Sequence, residues 1–356
     1  MVRVIPRVTH AGARRLEQLT QHLHTARKPN HAVRLVTADN DPTVAILSFG
    51  RAPANAFTYE FLRAVGVAVN MVVNIDPKIP SPQDLTTLGI HSTIQDYHCI
   101  RSLILTSDQP NFYSAGIDIT VFLGQDASLT QAHPDAEPRP TKGVSETQWK
   151  AFWGLVRDVY ITLYNNAKVR TVAAINGHSP GLGCILALAC HDRIMAQPTD
   201  NTKQPTIGLN EVKVGLPLPI WLSERFAQVC GQRYAEKELP FGAMFSPQEA
   251  LRMGLVDKVV ETPPESVPSA TSQSPLIQAA VQWVRGIYAK LPPASAPNSD
   301  AIWVAQMLSY RQVRRELTDR FYEREQEDLD ASYSGIASDA IQNTMQFVLR
   351  QLQKRN

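Results

Sequence analysis

Glu211 stands alone as an acid in the mostly apolar stretch Thr206-Ile207-Gly208-Leu209-Asn210-Glu211-Val212-Lys213-Val214-Gly215-Leu216. A carboxyl so placed either faces solvent or sits in an apolar pocket, and spacing alone favours solvent. In a pocket, lost hydration disfavours the charged form and lifts the pKa toward the range useful to a general base. Two glycine turns could supply groups that receive negative charge. One is Phe112-Tyr113-Ser114-Ala115-Gly116-Ile117-Asp118; the other is Asn176-Gly177-His178-Ser179-Pro180-Gly181-Leu182-Gly183. Small residues permit a sharp strand-to-helix turn and a close approach to main-chain N–H groups, and free N–H groups at a helix start favour an anion. Side by side, two such turns could form an oxyanion hole; each by itself reads first as a plain tight turn.

The second turn also spells two well-known patterns. Gly177-His178-Ser179-Pro180-Gly181 fits the G-x-S-x-G of serine hydrolases, whose oxyanion hole uses the N–H of the residue after the serine. That residue is Pro180, which has no N–H, and this argues against a hydrolase. Gly181-x-Gly183 opens like a dinucleotide fingerprint, but Leu186 fills the third glycine position and no clear strand-end acid follows about twenty residues later.

The elements that must hold these turns alternate between strand and helix. Residues 44–49 (VAILSF), 102–106 (SLILT), 171–175 (TVAAI) and 193–196 read as short strands, the second and third leading directly into the glycine turns. Phe61, Leu62, Val65, Val69, Val72 and Val73 recur at helical spacing. Trp149, Phe152, Trp153, Val156, Tyr160, Leu163 and Tyr164 make a wide apolar helix face, read as core. A small-residue helix starts near Gly183, and Ile341, Met345, Val348 and Leu352 share one face of a late helix. Residues 76–98 and 125–145 read as surface loops, and the charges of residues 311–330 as a solvated helix or subunit contact. The whole predicts an α/β core followed by a helical C-terminal region.

Composition narrows the function classes. The 356 residues carry a formal charge of +2, too small to argue for nucleic acid or an anionic membrane as partner. No apolar run approaches the ~18 residues of a membrane span. Cys99, Cys184, Cys190 and Cys230 form no CxxC pair and are read as reduced thiols, with no metal site. The start is basic: Arg3, Arg7, Arg14, Arg15, Arg27, Lys28 and Arg34 face one early acid, Glu17. Arg15-Leu16, five residues, then His22-Leu23 resembles the peroxisomal signal R-L-x5-H-L, and Arg3-Val4 with His10-Ala11 fits its looser form. We expect an organelle matrix of peroxisome type, with a mitochondrial presequence as the alternative.

From about residue 44 to 260 the order of motifs resembles the crotonase (enoyl-CoA hydratase/isomerase) superfamily. The carriers are Pro53-Ala54-Asn55-Ala56, Leu105-Thr106-Ser107, residues 112–118, Ala174-Ile175-Asn176-Gly177, Asp192-Arg193-Ile194, Phe245-Ser246-Pro247-Gln248-Glu249-Ala250 and Gly254-Leu255-Val256-Asp257. Ile207-Gly208-Leu209-Asn210-Glu211, Trp149-Lys150 and Pro219-Ile220-Trp221-Leu222 are similar to the mitochondrial-type Δ3,Δ2-enoyl-CoA isomerases of that superfamily.

After the targeting or N-terminal extension read over 1–40, the resemblance implies a spiral of ββα units over residues 41–260 and trimer-forming helices over 261–356. It implies an acyl-CoA substrate, a homotrimer and no cofactor beyond the coenzyme A of the substrate. Glu211 falls at the base position, and Ile117 and Leu182 fall at the two oxyanion N–H positions, where the family more often has glycine for Leu182. Ser114, Ala115, Gly116, Asp118, Gly181, Asn210 and Trp221 fall along the substrate; Asp118 and Asn55 read first as structural. Hydratases of this family employ a second acid three residues after the oxyanion N–H. Here that position is Ile185, so the resemblance implies a single-carboxylate double-bond shift rather than hydration. A different acyl-CoA reaction, or a non-catalytic acyl-CoA-binding or scaffold protein, is the alternative.

Overall fold

The structure is a computed structural model that describes residues 32–39, 41–134, 143–199, 204–263, 274–291 and 298–353. The N-terminal patterns built on Arg3, His10, Arg15 and His22 lie outside these residues, as does the side chain of Leu352.

The strands are β1 (Val33–Ala38), β2 (Asp41–Phe49), β3 (Ile90–Ser92), β4 (Ser102–Ser107), β5 (Arg170–Ile175), β6 (Ser179–Pro180), β7 (Asp192–Pro198), β8 (Ile207–Gly208) and β9 (Lys258–Thr262). Seven form one sheet in the order β3-β1-β2-β4-β5-β7-β9, in which only β1 and β2 run antiparallel. The central strands β4 and β5 are buried along their whole length, as expected of parallel strands covered on both faces.

Alternation then sorts their side chains. Leu47, Leu103, Leu105, Ala173 and Ile175 face the larger core, shared with the Tyr59–Val73, Glu146–Tyr164 and Leu182–Ala189 helices. Ile46, Ile104, Val172, Ala174 and Ile194 face the opposite way, onto Leu276, Ile277, Ala280 and Val284 of the Pro275–Tyr288 helix.

A second layer of short pairings lies beyond the ends of the long strands. Phe57 bridges Ile117, Phe112 bridges His178, β6 pairs with β8, and Ile207 also bridges Phe245. β2, β4, β5 and β7 are thus each followed by a short extended piece and a helix, the ββα spiral that the motifs imply. After β9 the described chain is helical, through Ser299–Val313, Arg315–Glu323, Glu325–Ile336 and Asp339–Gln353.

Three expectations are corrected. Residues 33–38, assigned to the extension over 1–40, form β1 of the main sheet, with Val33 and Leu35 buried. Residues 76–98 include a short helix (Pro82–Thr87) and β3, which pairs with β1 and buries Leu88, Ile90, Ile94 and Tyr97. Of the charges in 311–330, Arg314 is 8% exposed and the Asp328 side chain 12%, so both face the interior rather than solvent.

Candidate active site

The two glycine turns are zipped together at the carboxyl ends of β4 and β5. His178 donates its N–H to Asn111 O (2.8 Å), while Tyr113 and Ser114 donate theirs to His178 O (3.0 and 3.2 Å). Gly177 makes this approach possible, since a Cβ there would lie 2.1 Å from the Asn111 carbonyl carbon. Inside the first turn, Ser114 Oγ donates to Asn55 O (2.8 Å) and accepts the Gly116 N–H (3.0 Å). Ser114 is fully buried and stands behind the cavity wall, so it shapes the turn and does not meet substrate space as expected. Asn55, itself at positive φ, donates to Ser107 Oγ and Tyr113 O.

Gly116 accepts from the Phe57 N–H and Asp118 donates to Phe57 O, which turns the Ile117 N–H the other way. No described backbone carbonyl accepts it. Leu182 is the first residue of its helix, where an N–H has no partner within the helix. The two donors are neighbours: a Cβ on Gly116 would lie 3.8 Å from Leu182 N. Gly181 reaches this turn at φ 53° and ψ −120°, a conformation that suits glycine.

Glu211 arrives from a different direction. Pairing of β8 with β6 on one side, and of Ile207 with Phe245 on the other, brings residues 207–211 against the second turn. Glu211 opens the single 3-10 turn Glu211–Val214, and a Cβ on Gly181 would lie 3.5 Å from Glu211 Oε1 and 3.4 Å from Asn210 Oδ1. Its Oε2 is shut off from solvent, with no hydrogen-bond partner among the described residues. Burial pushes the Glu211 carboxyl up to about 7, opposed only by its own backbone N–H. The solvent-facing placement favoured by spacing is therefore not what forms.

These groups open on one cavity of about 770 Å³. Ala115, Gly116, Ile117, Asp118, Gly181, Leu182, Asn210, Glu211 and Trp221 all line it, so the structure brings together every expected site residue but Ser114. Asp118 caps the short Ile119–Phe122 helix and pairs with Arg51 (3.1 Å) at the wall. Ile185, at the position where the family resemblance implies a second acid in hydratases, lines the same cavity.

Sequence reasoning missed part of the wall. Asp328 Oδ2 accepts from Arg157 Nη1 (2.5 Å), Trp153 Nε1 (3.1 Å) and Trp221 Nε1 (3.2 Å). This fastens the Glu325–Ile336 helix over the cavity. The available signal was Arg157, a charge on the same apolar face as Trp153 and Tyr160, which in a core demands a partner. Among the described residues no three His, Cys, Asp or Glu side chains are grouped to hold a metal ion, and no helix is long and apolar enough to cross a membrane. Cys184, Cys190 and Cys230 are buried, Cys99 is exposed, and all four are free.

One carboxyl poised near neutrality, beside two uncommitted N–H groups in an apolar cavity, can move a proton next to a carbonyl and stabilise the resulting oxyanion. On this spiral frame, the chain belongs to the enoyl-CoA hydratase/isomerase family, whose model matches residues 91–326. Its relatives include human enoyl-CoA delta isomerase 1, mitochondrial, 29% identical over 90% of this chain and 83% of the relative. The mouse protein of the same name is 31% identical over 82% and 85%. The crystal structure of human mitochondrial delta3-delta2-enoyl-CoA isomerase superposes with a TM-score of 0.65 at 28% identity, covering 91% of this chain and 99% of that one. Enoyl-CoA hydratase from Bacillus halodurans, 15% identical with a TM-score of 0.62, shares the fold.

Proposed function

We propose that this protein is a Δ3,Δ2-enoyl-CoA isomerase of fatty acid oxidation, with Glu211 as its single acid–base group. The observation that carries this reading is one half-buried carboxyl, its Oε2 shut off from solvent, in the cavity of the two N–H groups, with Ile185 in that lining at the position of a second acid. Glu211 removes a proton from C2 of a 3-enoyl-CoA, and the electron pair delocalises into a dienolate whose charge rests on the thioester oxygen. The Ile117 and Leu182 N–H groups receive that oxygen. The same carboxyl then gives its proton to C4, and the double bond settles between C2 and C3. Proton and electron pair balance within the substrate, so the coenzyme A it carries is the only cofactor required. The decisive experiment supplies 3-enoyl-CoA and watches for the absorbance of conjugated 2-enoyl-CoA; absence of that product from folded protein refutes the isomerase.

A second expected result concerns water. Ile185 can neither orient nor deprotonate it, so hydration of 2-enoyl-CoA should run at least about a hundredfold slower than isomerisation. Comparable rates would contradict the single-carboxylate scheme. The pH dependence follows from burial. With Glu211 at about 7, kcat/KM rises tenfold per pH unit below that value and levels above it, because only the ionised form is a base. A flat profile between pH 5.5 and about 8 would place the essential base elsewhere.

The relatives are named mitochondrial, which supports the presequence alternative over the peroxisome-type signal for the basic N-terminus. Import of a reporter carrying residues 1–40, with His10→Asp and His22→Asp as the peroxisome-specific changes, separates the two. Assembly as a homotrimer is part of the same proposal. Its support is the exposed apolar pair Val304 and Leu308, one turn apart on the Ser299–Val313 helix.

A further inference from the structure

The helix that presents the Leu182 N–H ends under three guanidinium groups. Arg225 Nε donates to Leu188 O (2.9 Å), Arg193 Nη1 to Cys190 O (3.2 Å), and Arg314 to Ala189 O (3.4 Å) and Cys190 O (3.3 Å). They reach this point from β7, from the Ile220–Cys230 helix and from the C-terminal helices, and they are only 4%, 9% and 8% exposed respectively. Arg193 has an acid partner, Asp257 (3.2 Å). Among the described residues Arg225 and Arg314 have none. They lie instead over the Tyr164 ring, at 5.1 and 4.5 Å, and Arg314 also donates to Tyr164 O (2.7 Å).

Guanidinium groups taken out of water without carboxylates are costly. Burial, then the neighbouring Arg225, pull Arg314 down to about 10. The same charges, with burial first, hold His191 neutral beside them. What this cluster does meet is the partial negative charge on the last carbonyls of a helix. That helix has eight residues, so its first N–H is roughly 12 Å away through a fully buried rod, where solvent screens little.

We infer that Arg314 and Arg225, with Arg193, are positioning residues for the oxyanion donor: they clamp the carbonyl end of the Leu182–Ala189 helix, fix the direction of its first N–H, and raise the positive potential at the thioester oxygen. This rests on the proposed role of the Leu182 N–H. It also gives the C-terminal helices a part in the chemistry, since Arg314 acts from behind the site and touches no substrate.

The test uses the full-length protein and a conjugated dienoyl-CoA, whose ultraviolet band moves to longer wavelength as its carbonyl is polarised. Arg314→Met should bind this probe within about threefold of wild type yet show a clearly smaller red shift, and kcat for isomerisation should fall roughly three- to tenfold with KM little changed. Arg314→Lys, which keeps the charge, should recover most of the shift. Arg225→Met carries the same test at the same helix end, should Arg314→Met not fold. If the methionine variants melt earlier but keep the full red shift, the arginines serve folding alone and the inference is overturned. Wild-type protein that binds the probe with no red shift would overturn the oxyanion reading and this inference together. A wild-type shift that Arg314→Met diminishes, in a protein without isomerase activity, would sink the isomerase proposal and leave this inference standing.

Discussion

Glu211→Gln lowers double-bond isomerisation by roughly a thousandfold, the middle of the range a positioned acid–base group contributes, and leaves acyl-CoA binding intact. The amide keeps the shape of the carboxyl but can neither take the C2 proton nor return one to C4. The same change should stabilise the fold at alkaline pH. Burial raises the Glu211 pKa from an ordinary 4.5 to about 7, so the folded state holds a proton that the unfolded state has released. Stability is therefore full below about pH 4.5 and is lost as pH rises through about 7. At up to about 1.4 kcal/mol per unit, the ionised carboxyl costs at most about 3.5 kcal/mol. The variant escapes that cost, so its melting temperature should exceed wild type at pH 8, with the gap closing on acidification. Isomerase activity within tenfold of wild type in folded Glu211→Gln would remove this residue from the mechanism; a gap independent of pH would contradict its burial.

Gly177→Ala should be the most damaging change outside the base. Its new Cβ would meet Asn111 C at 2.1 Å, Asn111 O at 2.3 Å and Phe112 N at 2.4 Å, all main-chain atoms that cannot rotate aside. The two turns must separate, and the hydrogen bonds between His178 and residues 111–114 separate with them. We expect a loss of about 3 kcal/mol or more, at the high end for overpacking. Protein that remains folded should be poorly active, because misplacing one oxyanion donor costs about 2.7–4 kcal/mol. Chemical denaturation with activity on the same samples measures both. Gly286→Ala is the control: nothing lies within 4 Å of its Cβ and it sits inside a helix, so it should be neutral or slightly stabilising. Near-wild-type stability in Gly177→Ala would mean the turns are not locked as described.

The long parallel strands were legible because continuous apolar runs such as residues 102–107 and 170–175 have few other uses, and the two glycine turns because they follow those runs directly. The short strands β1 and β3 were not. Val33 and Leu35 alternate over only a few residues inside a basic segment, and β3 has three residues after a proline-rich stretch, too few for any period to show. Glu211 was ambiguous for a different reason. Locally it belongs to a 3-10 turn whose Lys213 and Gly215 are exposed, and nothing in those residues points it inward. Its burial is decided by β6, about thirty residues earlier in the chain, and by Phe245, well after it, through pairing that no local pattern encodes. Arg314 and Asp328 were hidden similarly, since a charge within a charged run looks solvated until its distant partner is in view.

The wall of aromatic side chains gives the protein its own optical probe. Three of its five tryptophans, Trp149, Trp153 and Trp221, line the cavity, and the last two bond through their indole N–H groups to one carboxylate of the C-terminal helices. Entry of a ligand changes the polarity around these rings, and undocking of the Glu325–Ile336 helix removes the charge they share. Intrinsic fluorescence therefore reports on occupancy, and on whether that helix stays docked, without a label attached to the chain.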